Sequence, residues 1–191
     1  MEKTLDTAIN EAWQEALDSW NSPSVPYVIA PQTENDVKEL KEIGMVLEKE
    51  LAFMHYPDFQ TYLNVKNIEK KFSNDVGRGL KAISKHEVGH RFCPYDIVTS
   101  IILKHDIKKE LDGKKLPYSL DEAANTILNL FGDMAINTRL TRSGDEDMPW
   151  AYEQISKTAK TNKSSWSRLL KKEPQPSKLW KVYGKSMELA W

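Results

Sequence analysis

The chain has a single cysteine, Cys93, so no disulfide can close within it, and a reducing compartment is the expected setting. It has no apolar run long enough to span a bilayer. Its first residues, MEKTLDTAINEAW, lack the apolar stretch of a secretory signal. It carries almost no net charge: 27 Lys and Arg against 28 Asp and Glu give −1 at pH 7. That balance points to neither nucleic acid nor membrane as a partner. No internal repeat or low-complexity tract is visible. Together these absences predict a cytoplasmic protein. What is present, 40% hydrophobic residues and a mean hydropathy of −0.59 over 191 residues, suits one soluble domain. We place it at residues 1–150, with a helical extension, 151–191, packed on it.

The most informative stretch is His86-Glu87-Val88-Gly89-His90, an H-E-x-x-H sequence. On a helix, residues four apart lie on one face, so His86 and His90 can aim two imidazoles at one ion. Neutral imidazole suits Zn²⁺, whose catalytic sites take three protein ligands and keep one position for water. The metal lowers the pKa of that water, and Glu87 is placed to take its proton as general base. An accidental motif would put two ordinary histidines on a solvated helix. The apolar Leu80, Ile83, Val88 and Phe92 that accompany them argue otherwise. Gly89 costs a helix about 1 kcal/mol relative to Ala, and it would admit close approach of another backbone.

Along the chain, Leu5 to Trp20 has helical spacing and stops at Asn21-Ser22-Pro23. VPYVIA (25–30) is a strand or an extended connector, and its Pro26 restricts it to an edge. A second helix is expected from near Thr33, where Thr33 and Asp36 suggest a cap, to about Met54. Strands are expected at Phe59–Val65 and Ile68–Phe72. The motif helix is expected from Leu80 to Phe92, ended by Pro94. Asp96 suits the N-cap of a helix from Ile97 to Leu111. After the turn at 112–117, Ser119 and Glu122 form an S-x-x-E capping box for a helix to about Leu140. A helix from Pro149-Trp150 to Leu170 and another over 177–189 complete the chain. The region 157–185 holds nine basic residues and one acid, with Trp166 and Trp180 between them. It reads as a solvated face, with a phosphate-binding surface as the alternative.

The 119–140 helix is apolar enough to be buried, yet Asn129, Asp133 and Asn137 form a polar stripe at four-residue spacing. A carboxylate in such surroundings is costly unless paired or bound to metal. The third metal ligand must come from Asp133, Glu122, His105, Asp96 or Glu110. Capping already explains Glu122, and His105 suits a helix C-terminus. Asp133 is therefore the first choice and Glu122 the second. Cys93 reads as a small buried thiol, with an approach to the metal as the alternative.

His86-Glu87-x-x-His90 followed by Asn129-x-x-x-Asp133-x-x-Ile136-Asn137 resembles the metallopeptidase domain often attached to von Willebrand factor A-like domains. The resemblance covers roughly the central third of the chain. It departs from that family's pattern at Leu128, where Trp is common, and at Phe131, where Ala is preferred. It implies an α+β, mostly α, zincin-like fold, with a metal-binding helix pair, a small sheet and additional helices. It implies Zn²⁺ held by His86, His90 and Asp133, Glu87 as catalytic base, and Asn129 and Asn137 orienting the ligands. It also implies a peptide or protein substrate and a partner bearing a von Willebrand factor A-like domain. Tyr95, Tyr118, His105 and Arg91 are candidates to stabilise an oxyanion. The alternatives are a metal-holding scaffold or partner-binding module that cuts nothing, and a DNA-associated protease resembling the SprT-like peptidases.

Overall fold

The computed structural model of the chain describes residues 4–31, 33–42, 50–55, 60–92, 97–116 and 119–161. Helix α1 (Leu5–Ser19) begins at Thr4, whose side chain accepts from the Thr7 amide. Its Ile9, Ala12, Trp13, Ala16 and Leu17 share one buried face, as the sequence spacing predicts. Trp13 Nε1 donates to the Val25 carbonyl (2.8 Å), and this contact ties the chain beyond α1 back onto the helix.

Three short strands follow, β1 (Tyr27–Ile29), β2 (Ala52–His55) and β3 (Gln60–Leu63), in the order β1-β3-β2. β1 runs parallel to β3, with Val28 opposite Tyr62. β2 runs antiparallel to β3, with Phe53 opposite Tyr62 and Met54 opposite Thr61. Pro26 therefore precedes an edge strand, as its missing N–H requires. Helix α2 (Glu34–Glu42) is capped by mutual hydrogen bonds between Thr33 and Asp36.

The sheet corrects two expectations. The second helix does not continue to Met54: Ala52–Met54 lie in β2, where pairing with β3 outweighs the helical spacing of Leu47, Leu51 and Met54. Residues 43–49 lie outside the described ones. The expected strand at Ile68–Phe72 is instead helix α3 (Val65–Lys71) and its C-cap. The Asn64 side chain accepts from the Asn67 amide and starts that helix. Val65, Ile68 and Phe72 then fall at i, i+3 and i+7 and are all buried.

Helix α4 (Val76–Gly89) is central to the fold. Asp75 caps it by accepting from the Arg78 amide, so it starts a turn earlier than the sequence reading placed it. At Gly79 an added Cβ would meet the Phe72 ring at 2.5 Å, so α3 and α4 touch through the missing side chain. Leu80, Ala82, Ile83, Ser84, Lys85, Glu87 and Val88 are all buried, so α4 is covered nearly all round. Its neighbours are α1, α3, β2, α6 and α7. The α-helix ends at Gly89, and His90–Phe92 form a 3₁₀ turn.

Helix α5 (Ile97–Leu111) packs on α6 (Leu120–Arg142), and α7 (Asp147–Thr161) returns to α4. The capping box of Ser119 and Glu122 forms in full. Contrary to expectation, α6 is only half covered: Ala124, Gly132, Ile136, Asn137 and Leu140 are buried, whereas Phe131 is 50% exposed. α7 begins at Asp147 and crosses position 150, with Met148 and Ala151 in the core. The remainder of the basic, Trp-bearing segment, the expected helix over 177–189 and the proposed cap Asp96 lie outside the described residues. The described chain is thus mostly helical, with one small sheet. None of its helices is long and apolar enough to cross a membrane.

Candidate metal centre

His86 sits in the last turn of α4, and His90 caps that helix as it tightens into the 3₁₀ turn. The four-residue spacing brings Nε2 of His90 to 3.2 Å from Nε2 of His86, with the rings nearly perpendicular at 85°. Asp133, from the middle of α6, places Oδ1 3.5 Å from each of these nitrogens. One side-chain donor atom from each residue lies within 4.8 Å of the others, so the three could hold a metal ion. Four ligands arranged tetrahedrally at bonds of about 2.0–2.1 Å stand roughly 3.3–3.4 Å apart. The observed spacings fit that figure. Two imidazole nitrogens and a carboxylate oxygen suit Zn²⁺ and its first-row neighbours.

Helix α6 reaches the histidines because Gly89 lets it. An added Cβ at Gly89 would lie 2.6 Å from Ile136 Cγ2 on α6 and 2.6 Å from Trp20 Cζ2 at the end of α1. The close approach is made by these two side chains, not by a backbone. Trp20 is fixed by its Nε1–H to the Lys85 carbonyl (2.8 Å) and by Arg139, whose guanidinium stands 4.2 Å above the indole.

Asn137, one turn beyond Asp133 and 1% exposed, meets the other side of His86. Its Oδ1 is 2.9 Å from His86 Nδ1, and its Nδ2 donates to the Tyr152 hydroxyl at 2.8 Å. With Asn137 oriented in this way, His86 donates from Nδ1 and turns Nε2 toward the cluster.

Burial opposes charge on all three histidine-site groups, and their contacts divide them. Desolvation lowers the pKa of His86, but the hydrogen bond and charge of Asp133, then Glu87 and Asn137, overcome it and raise it to about 9. Desolvation and the charge of His86 push His90 down to about 3. Two imidazoles this close do not both take a proton. Burial raises the Asp133 carboxyl, yet the two histidines hold it below its ordinary value. Glu87 is only 7% exposed. Desolvation, with the charges of Asp133 and Glu50, lifts its carboxyl to about 7 against the pull of His86.

Other sequence candidates fall elsewhere. Asn129 is exposed on α6, outside the cluster. Glu122 is exposed, and Ser119 holds its carboxyl below the ordinary value. His105 is exposed beside Asp106, and Glu110 is exposed on α5. Arg91 is partly buried in the 3₁₀ turn. Cys93, Tyr95, Asp96 and Tyr118 lie outside the described residues. The sequence reading missed Tyr152 and Lys85, which no motif marks. Lys85 is buried beside His86, and its Nζ meets Asp145 at 2.7 Å, Glu15 at 2.8 Å and Asp147 at 3.0 Å. Burial opposes its charge, but these carboxylates raise its pKa above the ordinary lysine value. Comparison of the chain with family models, with curated proteins and with solved structures finds no match.

Proposed function

We propose that this protein is a zinc-dependent peptidase of the zincin type. His86, His90 and Asp133 hold the ion, and Glu87 is the general base. The reading is carried by one observation: two nitrogens from the end of α4 and its 3₁₀ turn and one oxygen from α6 converge at metal-ligand spacing, with the buried Glu87 next in sequence to the first ligand. When bound, the ion supplies a Lewis acid that activates water and polarises a carbonyl. Glu87 accepts the proton of the attacking water and returns it to the departing amine. Burial of its carboxylate keeps bulk water from competing for that proton. Asn137 holds His86 by its Nδ1 so that Nε2 stays on the cluster. A peptide substrate is favoured by the position of β2, an edge strand of the described sheet that packs near α4. An extended chain adds to such an edge through main-chain hydrogen bonds.

The test is zinc content and peptide hydrolysis on three proteins purified alike. The wild type is expected to hold about one zinc per chain and to cleave members of a mixed peptide library. Glu87→Gln is expected to keep the zinc and to lose about 10²–10⁴-fold in rate. Asp133→Ala is expected to lose most of the zinc. Full activity in Glu87→Gln, or equal zinc in Asp133→Ala, would refute the assignment. Zinc uptake without cleavage of any peptide would leave a metal-holding scaffold.

A further inference from the structure

We infer that Tyr152 is a positioning residue, fixing His86 for the ion by anchoring the far end of the Asn137 amide. The inference rests on the metal-centre reading above. An imidazole that offers Nε2 to an ion carries its proton on Nδ1, and that N–H needs an acceptor held in place. Here the acceptor is Oδ1 of Asn137, 2.9 Å away. The terminal torsion of an asparagine is broad, so an amide bonded at one end swings about it. The Asn137 amide is bonded at both ends: Nδ2 donates to the Tyr152 hydroxyl at 2.8 Å. Asn137 is almost fully buried, so solvent does not take the place of that hydroxyl. Remove the hydroxyl, and the amide keeps only its bond to His86.

Tyr152 can anchor the amide only because α7 is itself fixed to α4. Lys85, the residue before His86, reaches Asp145 at 2.7 Å and Asp147 at 3.0 Å, where α7 begins. Arg78, near the start of α4, donates from Nε to Asp147 (3.0 Å) and lies 5.0 Å from the centre of the Trp150 ring. Met148 and Ala151 of α7 are buried in the core. The contacts therefore close a circuit. α4 holds α7 through Lys85 and Arg78, α7 holds α6 through Tyr152 and Asn137, and α6 returns to α4 at His86. The Tyr152 hydroxyl meets the Asn137 amide on the side away from His86. Its effect passes through Asn137, and it belongs to the placing of the ligand, not to the reaction.

The test uses Tyr152→Phe, which keeps the ring and deletes only the hydroxyl. Two quantities are read on the full chain. One is the zinc dissociation constant, by competition with a chelator. The other is the His86 Nδ1–H proton in ¹H–¹⁵N spectra of the metal-free protein. Ile155→Ala is the control: Ile155 packs on the core from the same helix and has no part in the Asn137 contact. Tyr152→Phe is expected to weaken zinc about 10–100-fold, the range for partners of ligating histidines. It is also expected to broaden the Nδ1–H signal through exchange with solvent. Ile155→Ala is expected to change neither while it stays folded. Tyr152→Phe with unchanged zinc affinity and an unchanged Nδ1–H signal overturns the inference. Equal weakening in Ile155→Ala also overturns it, because the effect then comes from loosening α7. If the wild type takes up no zinc, the metal-centre reading fails instead, and the Nδ1–H signal alone decides whether Tyr152 holds His86.

Discussion

Gly89 stands between the two clustered histidines in sequence and between two supporting side chains in space. Ile136 and Trp20 occupy the place its Cβ would take. Gly89→Ala gains about 1 kcal/mol of helix propensity. Overpacking of the site by the added methyl costs about 1–3 kcal/mol. The net expectation is a protein no more stable than the wild type in urea unfolding, with weaker zinc binding, because α6 must withdraw and takes Asp133 with it. The sequence marks Gly89 as unusual but does not name what approaches it, since Trp20 and Ile136 are remote in the chain. The polar stripe of α6 shows the same limit. Members four apart advance by about 40° around the axis, so Asn129 lies roughly 80° from Asn137. Asn137 faces His86, while Asn129 faces solvent. The stripe was legible; the arc of it that met α4 was not.

Among the elements, those defined by their own caps and spacing were readable, and those defined by partners were not. α1, α5 and the capping box of α6 stand as the spacing predicts. The spacing of β2 suggests helix because its register with β3 lies outside its own sequence. The α3 segment suggests a strand because seven residues hold too few turns to separate the two periods, although Asn64 at its start is a cap in plain sight. The junction of α4 with α7 was equally hidden. Lys85 looks like any lysine in sequence, and Asp145 and Asp147 look like a solvated loop. In the fold, the side chains of Lys85 and Asp145 are each 8% exposed. Replacing Lys85 with Met leaves these carboxylates without their buried cation. The expected loss is about 3–5 kcal/mol, read as a lower urea midpoint. Lys81→Met, one turn earlier, removes a cation that pairs with Glu15 near the surface, where both side chains are about 40% exposed. That change is expected to cost less than about 1 kcal/mol.

For the molecule as a whole, the cluster ties stability to pH and, on the zinc reading, to metal. In the metal-free protein the pKa of His86 is raised to about 9 from an ordinary 6.5, by Asp133 of α6 and Glu87 of α4 against burial. The stability it contributes is complete below about pH 6.5 and is lost as pH rises through 9. Glu87, raised to about 7, acts in the same sense at lower pH: its contribution is lost between about 4.5 and 7. His90, lowered to about 3, acts in the opposite sense, and its contribution is lost as pH falls from 6.5 toward 3. Between pH 7 and 9, His86 therefore sets the trend. On the zinc reading proposed above, the ion must displace that proton, so its apparent affinity is expected to rise about tenfold per pH unit until the proton is gone. Melting curves at pH 7, 8 and 9 with and without zinc check both signs. The zinc-free midpoint should fall with pH, and the gap to the zinc-bound midpoint should widen.

The three donors do not share one support. One stands on α4, which is enclosed on nearly every side, and a second on the 3₁₀ turn that ends it. The third stands on α6, whose Phe131 lies open to solvent and whose partner α5 exposes Ile101 and Ile102. The less enclosed pair of helices opens before the enclosed one. An ion held here would thus lose its carboxylate first and remain on two imidazoles before escaping. Its residence time would follow the breathing of the α5–α6 hairpin, and a ligand or contact that clamps that hairpin would slow the exchange of metal without touching any atom that binds it.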